Sequence, residues 1–166
     1  MSSLKSHIGD LLAKNTYRIR CHRNGKLIWE EKINNLVVDE GLNDVLSQYF
    51  KGSSYTAAHY MGLKGAGAIA AANTLASHAA WAEITAYSGD RKAITLGAVA
   101  SQSVDNTASP CQFTFTGSAA VDGIFVATVA TGTSGVLFGA ADFAATRNVI
   151  ANDVLSIDAT FTQASA

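Results

Sequence analysis

A mainly β chain, folded as an antiparallel β-sandwich or jelly roll with a short N-terminal helix, a β-hairpin and one further helix, is the fold that three observations predict. From Glu83 to Ala166 every apolar segment is short, rich in β-formers and bounded by Gly, Ser, Asn or Asp. Two segments, "QFTFTG" and "DVLSIDATFT", alternate along their length, which gives one wet and one dry face. Asn24-Gly25 lies between two alternating runs, "TYRIRCHR" and "KLIWEEKI", and is the strongest hairpin signal in the chain.

The totals are consistent with one domain able to bury a core. The 166 residues are 48% hydrophobic and 15% charged, too apolar for a solvated coil, and no run of about 18 apolar residues is present to span a membrane. The N-terminal "MSSLKSHIGDLLAKN" has neither the apolar segment nor the cleavage site of a secretory signal, so synthesis in a cytosol is expected. In that compartment Cys21 and Cys111 are expected as free, buried thiols. Net charge is −1, but residues 1–35 hold seven of the twelve Lys and Arg against three acids, so the N-terminal segment is basic and the remainder acidic.

Leu4, Ile8, Leu11 and Leu12 fall at helical spacing and predict a short amphipathic helix that is marginal alone and must dock on its own domain or on a partner. In the hairpin that follows, a three-residue Arg23-Asn24-Gly25 loop would place Ile19 opposite Trp29 and Cys21 opposite Leu27 on one face. Arg18 would then face Glu30, and Arg18, Arg20, His22, Lys26 and Lys32 would form a basic face. Next, Asp39 is a candidate cap for a helix with Leu42, Val45, Leu46 and Tyr49 on one stripe, ended by Lys51-Gly52. Strands are expected at His59–Leu63, Ala82–Tyr87, Lys92–Leu96, Cys111–Thr116, Gly123–Ala130, Val136–Gly139 and Val154–Thr162. Two units result: an N-terminal arm of helix and hairpin, residues 1–33, and a sandwich or jelly-roll domain, residues 34–166.

Chemistry is sparsely written in this chain. Gly65-Ala-Gly67 has the outline of a dinucleotide-binding turn, but Asn73-Thr74 interrupts the helix that should follow and no helix–strand alternation comes after it. A small-residue surface loop, with no nucleotide or other cofactor, is the expectation. The four histidines stand far apart, and Cys21-His22 would point to opposite faces of a strand, so no metal site is expected. No Gly-x-Ser-x-Gly elbow is present, and Asp153 and Asp158 read as turn and strand-surface residues, so catalysis is not expected. Tyr17, Arg18, Arg20 and Trp29 come nearest to a nucleic-acid surface, but the aromatics face away from the arginines, so no nucleic-acid partner is expected.

Residues 34–162 carry "NNLVVDEGL", then "YMGL", then the Trp81-to-Tyr87 pattern "W-x-E-x-T-x-Y", then "GIF", and their order and spacing resemble a family of small tailed-bacteriophage virion proteins, among them capsid decoration, or cement, proteins. The resemblance implies a homo-oligomeric structural protein on the outer surface of a capsid, bound across junctions of the major capsid protein, with no enzymatic activity. A tail, fibre or baseplate module is the alternative, binding a neighbouring tail protein or a host glycan through Tyr55, Tyr60 and Tyr87. The candidate partner contacts are the helix stripe Leu4, Ile8, Leu11 and Leu12 and the basic face Arg18, Arg20, His22, Lys26 and Lys32.

Overall fold

The structure, a computed structural model, describes residues 14–52 and 58–163. The expected N-terminal helix lies outside the described residues. Strands account for 49% of the described residues and helix for 8%, so the mainly β expectation holds, with two antiparallel sheets and one helix.

The first sheet is built on the hairpin. Strands β1 (Lys14–Arg23) and β2 (Lys26–Asn34) meet at Asn24 and Gly25, whose φ values of 51° and 74° give the two-residue turn that Asn-Gly favours. The expected three-residue loop is therefore replaced by a two-residue turn followed by a bulge. Arg23 pairs with Lys26 and His22 with Leu27, Ile28 is left over, and Cys21 then pairs with Trp29. Ile19 lies opposite Glu31 rather than Trp29.

On its other side β1 pairs with β11 (Val154–Thr162) through nine residues, from Lys14 opposite Thr162 to His22 opposite Val154. The far edge of β11 pairs first with β8 (Cys111–Thr114) and then with β7 (Ser103–Asp105). This overturns the expected boundary at residue 33. Tyr17, Ile19 and Cys21 are buried, and β1 is an interior strand, so the hairpin is part of the main fold and not an outlying arm.

The second sheet runs β3 (Leu36–Val37), β10 (Leu137–Val149), β9 (Ala119–Ala127), β4 (Tyr60–Lys64), then β5 (Glu83–Ile84) and β6 (Lys92–Ala93), which share the outer edge of β4. Inward residues of both sheets form one core. Ile19, Cys21, Leu155 and Ile157 from the first meet Met61, Leu63, Ile124 and Val126 from the second, all fully buried. By transfer estimates each large side chain among them contributes about 1.5–3 kcal/mol.

The outer face of the second sheet is covered too. Leu75 and Trp81 from the loop between β4 and β5 pack with Phe125, Ala127 and Ala140 in a smaller cluster that also contains Val38. Gly67 in that loop has φ +123°, and an added Cβ would stand 1.8 Å from the Ala80 carbonyl oxygen, so backbone conformation and close packing require its glycine. Helix α1 (Asp39–Phe50) starts after Val38, with no side-chain cap, so the capping role expected of Asp39 is not taken up.

Candidate functional site

The face that the sequence marks as basic is largely neutralised within the molecule. Arg18 donates two hydrogen bonds to Glu30, at 3.0 and 3.1 Å, reaching one step along the ladder from its direct neighbour Lys32. Arg20 donates to both oxygens of Asp158 at 2.8 and 2.7 Å, and Arg23 to both oxygens of Asp153 at 2.8 and 2.7 Å. The expectation that Asp158 lies on a strand surface and Asp153 in a surface turn is corrected accordingly, since both are buried: Asp153 receives a two-nitrogen fork from Arg23, and the two oxygens of Asp158 share one Arg20 nitrogen. The Arg23 fork, with a backbone N–H from Ile150, holds the Asp153 carboxyl below the usual aspartate range. Of the predicted contacts on this face, Lys26 and Lys32 remain exposed and His22 is half-buried. Leu4, Ile8, Leu11 and Leu12 lie outside the described residues.

What the charges leave behind is an apolar hairpin tip. The bulge removes Ile28 from the ladder, and Leu27, Ile28 and Ile150 are all exposed large hydrophobics. Arg23 ties the turn end of the hairpin to Asp153, and Asp153 accepts the Ile150 N–H, so strand and turn are held as one rigid unit. Beside this unit Ser118, Ala119, Ala120, Asn148, Val149 and Ile150 line a shallow concavity of about 420 Å³. Behind it, Glu31 of β2 accepts hydrogen bonds from Arg147 at 2.7 Å and from the Ala144 N–H, and the Arg147 guanidinium stacks 4.7 Å from the Trp29 ring.

A second exposed apolar surface lies where β2 leads through β3 into α1. Here the helix is inverted relative to the usual amphipathic arrangement, because Gly41 is its buried residue. A Cβ on Gly41 would stand 2.2 Å from the Phe138 carbonyl oxygen, so the helix lies directly on the β10 backbone. One Glu40 carboxylate oxygen accepts the Leu75 N–H at 2.9 Å and the Leu137 N–H at 2.6 Å, fixing that polar side inward. The apolar stripe points outward: Val45 and Leu46 are exposed, Tyr49 is 81% exposed and Phe50 74%.

The remaining reactive groups are packed rather than presented. Burial pushes the Cys21 thiol up to about 11 and the Cys111 thiol up to about 12, so both stay protonated. Both cysteines are free and buried, as the sequence leads one to expect. Tyr87 is buried with its ring 4.8 Å from Phe113, which removes it from any sugar-stacking role; Tyr60 is half-buried and Tyr55 lies outside the described residues. Glu83 is held by two hydrogen bonds from Arg91 at 2.9 and 2.7 Å. Among the described residues no group of three His, Cys, Asp or Glu is placed to hold a metal ion, and no helix is long and apolar enough to cross a membrane.

No protein-family model, curated protein or solved structure matches the chain. The residues that sequence reading missed here are Arg23, Asp153, Leu27, Ile28 and Ile150. One usable signal was present: an Asp at the start of a strand whose antiparallel neighbour ends in Arg is a candidate pair once the two strands are known to be adjacent.

Proposed function

We propose that this chain is a non-enzymatic structural virion protein that decorates and stabilises a phage capsid, its two sheets forming a β-sandwich or jelly roll from which contact surfaces project. In this reading it binds on the outer surface of the shell across junctions of the major capsid protein and acts as a homo-oligomer. The hairpin tip carries the proposal: Leu27, Ile28 and Ile150 are exposed on a base fixed by the Arg23–Asp153 pair. An apolar contact mounted on rigid strands loses little freedom on docking, and symmetry multiplies a modest contact into avidity. The resemblance of residues 34–162 to tailed-phage virion proteins supplies the context.

The test is placement. Labelled protein added to undecorated capsids should bind heads at saturating, symmetry-related positions, and the Ile28→Asp variant should fold normally and bind at least tenfold more weakly. Labelling confined to tails would replace this reading with a tail or baseplate module.

A further inference from the structure

The apolar stripe of α1 calls for a cover, and the chain itself carries one of the right length and chemistry. We propose that residues 1–13 of the same chain form a strap across the outward face of α1, with Leu4, Ile8, Leu11 and Leu12 packed on Val45, Leu46, Tyr49 and Phe50. Two complementary patterns meet in this arrangement. Positions 4, 8, 11 and 12 repeat at helical spacing on a segment too short to hold a helix alone. Positions 45, 46, 49 and 50 present two mostly exposed aromatic rings and two aliphatic side chains with nothing over them among the described residues. A helix from Leu4 to Leu12 would span about 13 Å at 1.5 Å per residue, against about 18 Å for α1.

The point of entry supports the same occupant. The described chain begins at Lys14, and the next residue, Asn15, accepts the Asn35 N–H at 3.1 Å, immediately before β3 and α1. Opposite Asn15 stands Phe161, whose ring centroid is 6.3 Å from that of Phe138, and the Phe138 backbone is the floor beneath Gly41. The strap would therefore start next to the helix it covers. Charge is complementary as well: besides the inward Glu40, α1 carries Asp39 and Asp44 and no base, whereas residues 1–14 carry Lys5, His7 and Lys14 against Asp10. Only Ala13 separates Leu12 from Lys14, and so short a tether holds the strap at an effective concentration in the millimolar range or above, which favours the same chain over a second copy.

The strap can be tested in the full-length protein with an Ile8→Cys/Leu46→Cys variant. Because Cys21 and Cys111 are buried, oxidation reports on the engineered pair. The expected product is a monomer with an intramolecular disulfide, while an Ile8→Cys/Leu27→Cys variant, aimed at the opposite end of the molecule, stays reduced. A disulfide-linked dimer, no bond at all, or equal cross-linking of both variants overturns the proposal. Independently, Ile8→Asp/Leu11→Asp should speed hydrogen exchange of α1 amides at least tenfold and leave the β1 and β11 amides unchanged. Unaltered exchange in α1 would also overturn it.

Discussion

Lys64 and Asp142 form an ion pair whose two halves differ in their access to water, and removing each in turn should have unequal cost. In the second sheet Lys64, Gly123 and Asp142 occupy one row across β4, β9 and β10, so the lysine reaches Asp142 over a position with no side chain. The Lys64 side chain is 0% exposed and that of Asp142 49% exposed. Its ammonium also donates to the Gly67 carbonyl at 3.0 Å and lies 5.8 Å from the centre of the Trp81 ring. Asp142→Ala leaves a buried cation with only those two partners, and a broken buried pair costs roughly 3–5 kcal/mol, so about 3 kcal/mol is expected after allowing for them. Lys64→Met preserves most of the volume, and the surviving carboxylate turns to water, so about 1 kcal/mol is expected, chiefly from the Gly67 carbonyl. The difference of about 2 kcal/mol is roughly thirtyfold in the folding equilibrium constant. Urea denaturation followed by circular dichroism, with a common slope across variants, measures both. Equal losses, or a larger loss for Lys64→Met, would refute the view that solvent access of the surviving partner sets the cost.

Two further outcomes follow from buried contacts. Arg23→Ala strands the Asp153 carboxylate, which has no exposed side-chain surface, and should lower stability by about 2–3 kcal/mol, less than a fully buried pair because Arg23 itself is 39% exposed. Since the folded-state pKa of Asp153 is depressed, its contribution is complete above the ordinary aspartate value and is lost as pH falls through the folded value. Stability measured below about pH 4 should therefore decline in the parent, and that decline should shrink in Arg23→Ala. Gly41→Ala should destabilise by about 1–2 kcal/mol despite the better helix propensity of alanine, because overpacking against the Phe138 carbonyl outweighs the gain, and thermal melting would show the sign.

The hairpin shows how far a sequence pattern reaches. From Trp29 to Ile33 the observed pairing differs by two residues from the expected one, and a shift of two keeps every side chain on its face. Facial segregation therefore identified the inward positions Tyr17, Ile19, Cys21 and Trp29 correctly, but it placed Leu27 inward as well, where the bulge leaves it exposed opposite His22, and it had no power to choose between the registers. The extent of β11 was legible because its alternation is unbroken, but its expected wet face was not, since Ser156 and Asp158 are buried. Strand β10 was read only as its first residues, since "AADFAATRNV" mixes small and polar residues; its pairing with β9 is interrupted between Asp142 and Arg147, which the local pattern does not encode. Helix α1 was legible in extent, but its orientation was not, because Gly41 and Glu40 dock it through backbone proximity and hydrogen bonds while periodicity weighs only apolar side chains. The ion pairs to Asp153 and Asp158 depend on β1 lying beside β11, residues more than a hundred positions apart, and no local feature announces that neighbour.

The same pairings change what a partner can read on this surface. A basic excess at the N-terminal end suggests attraction to an acidic surface, but Arg18, Arg20 and Arg23 each already face a carboxylate within the fold. A guanidinium held by two charge-assisted bonds adds little long-range field, since its partner cancels most of its charge beyond a Debye length of about 8 Å at physiological ionic strength. Lys26 and Lys32 remain exposed, while Leu27 and Ile28 stand at the tip. Within the proposed function, attachment through this end would therefore be governed by apolar contact and shape, with charge contributing mainly to the approach. Salt would then act chiefly on the rate of encounter and much less on the lifetime of the docked protein, because lifetime is set by the desolvated centre of a contact and steering by its rim.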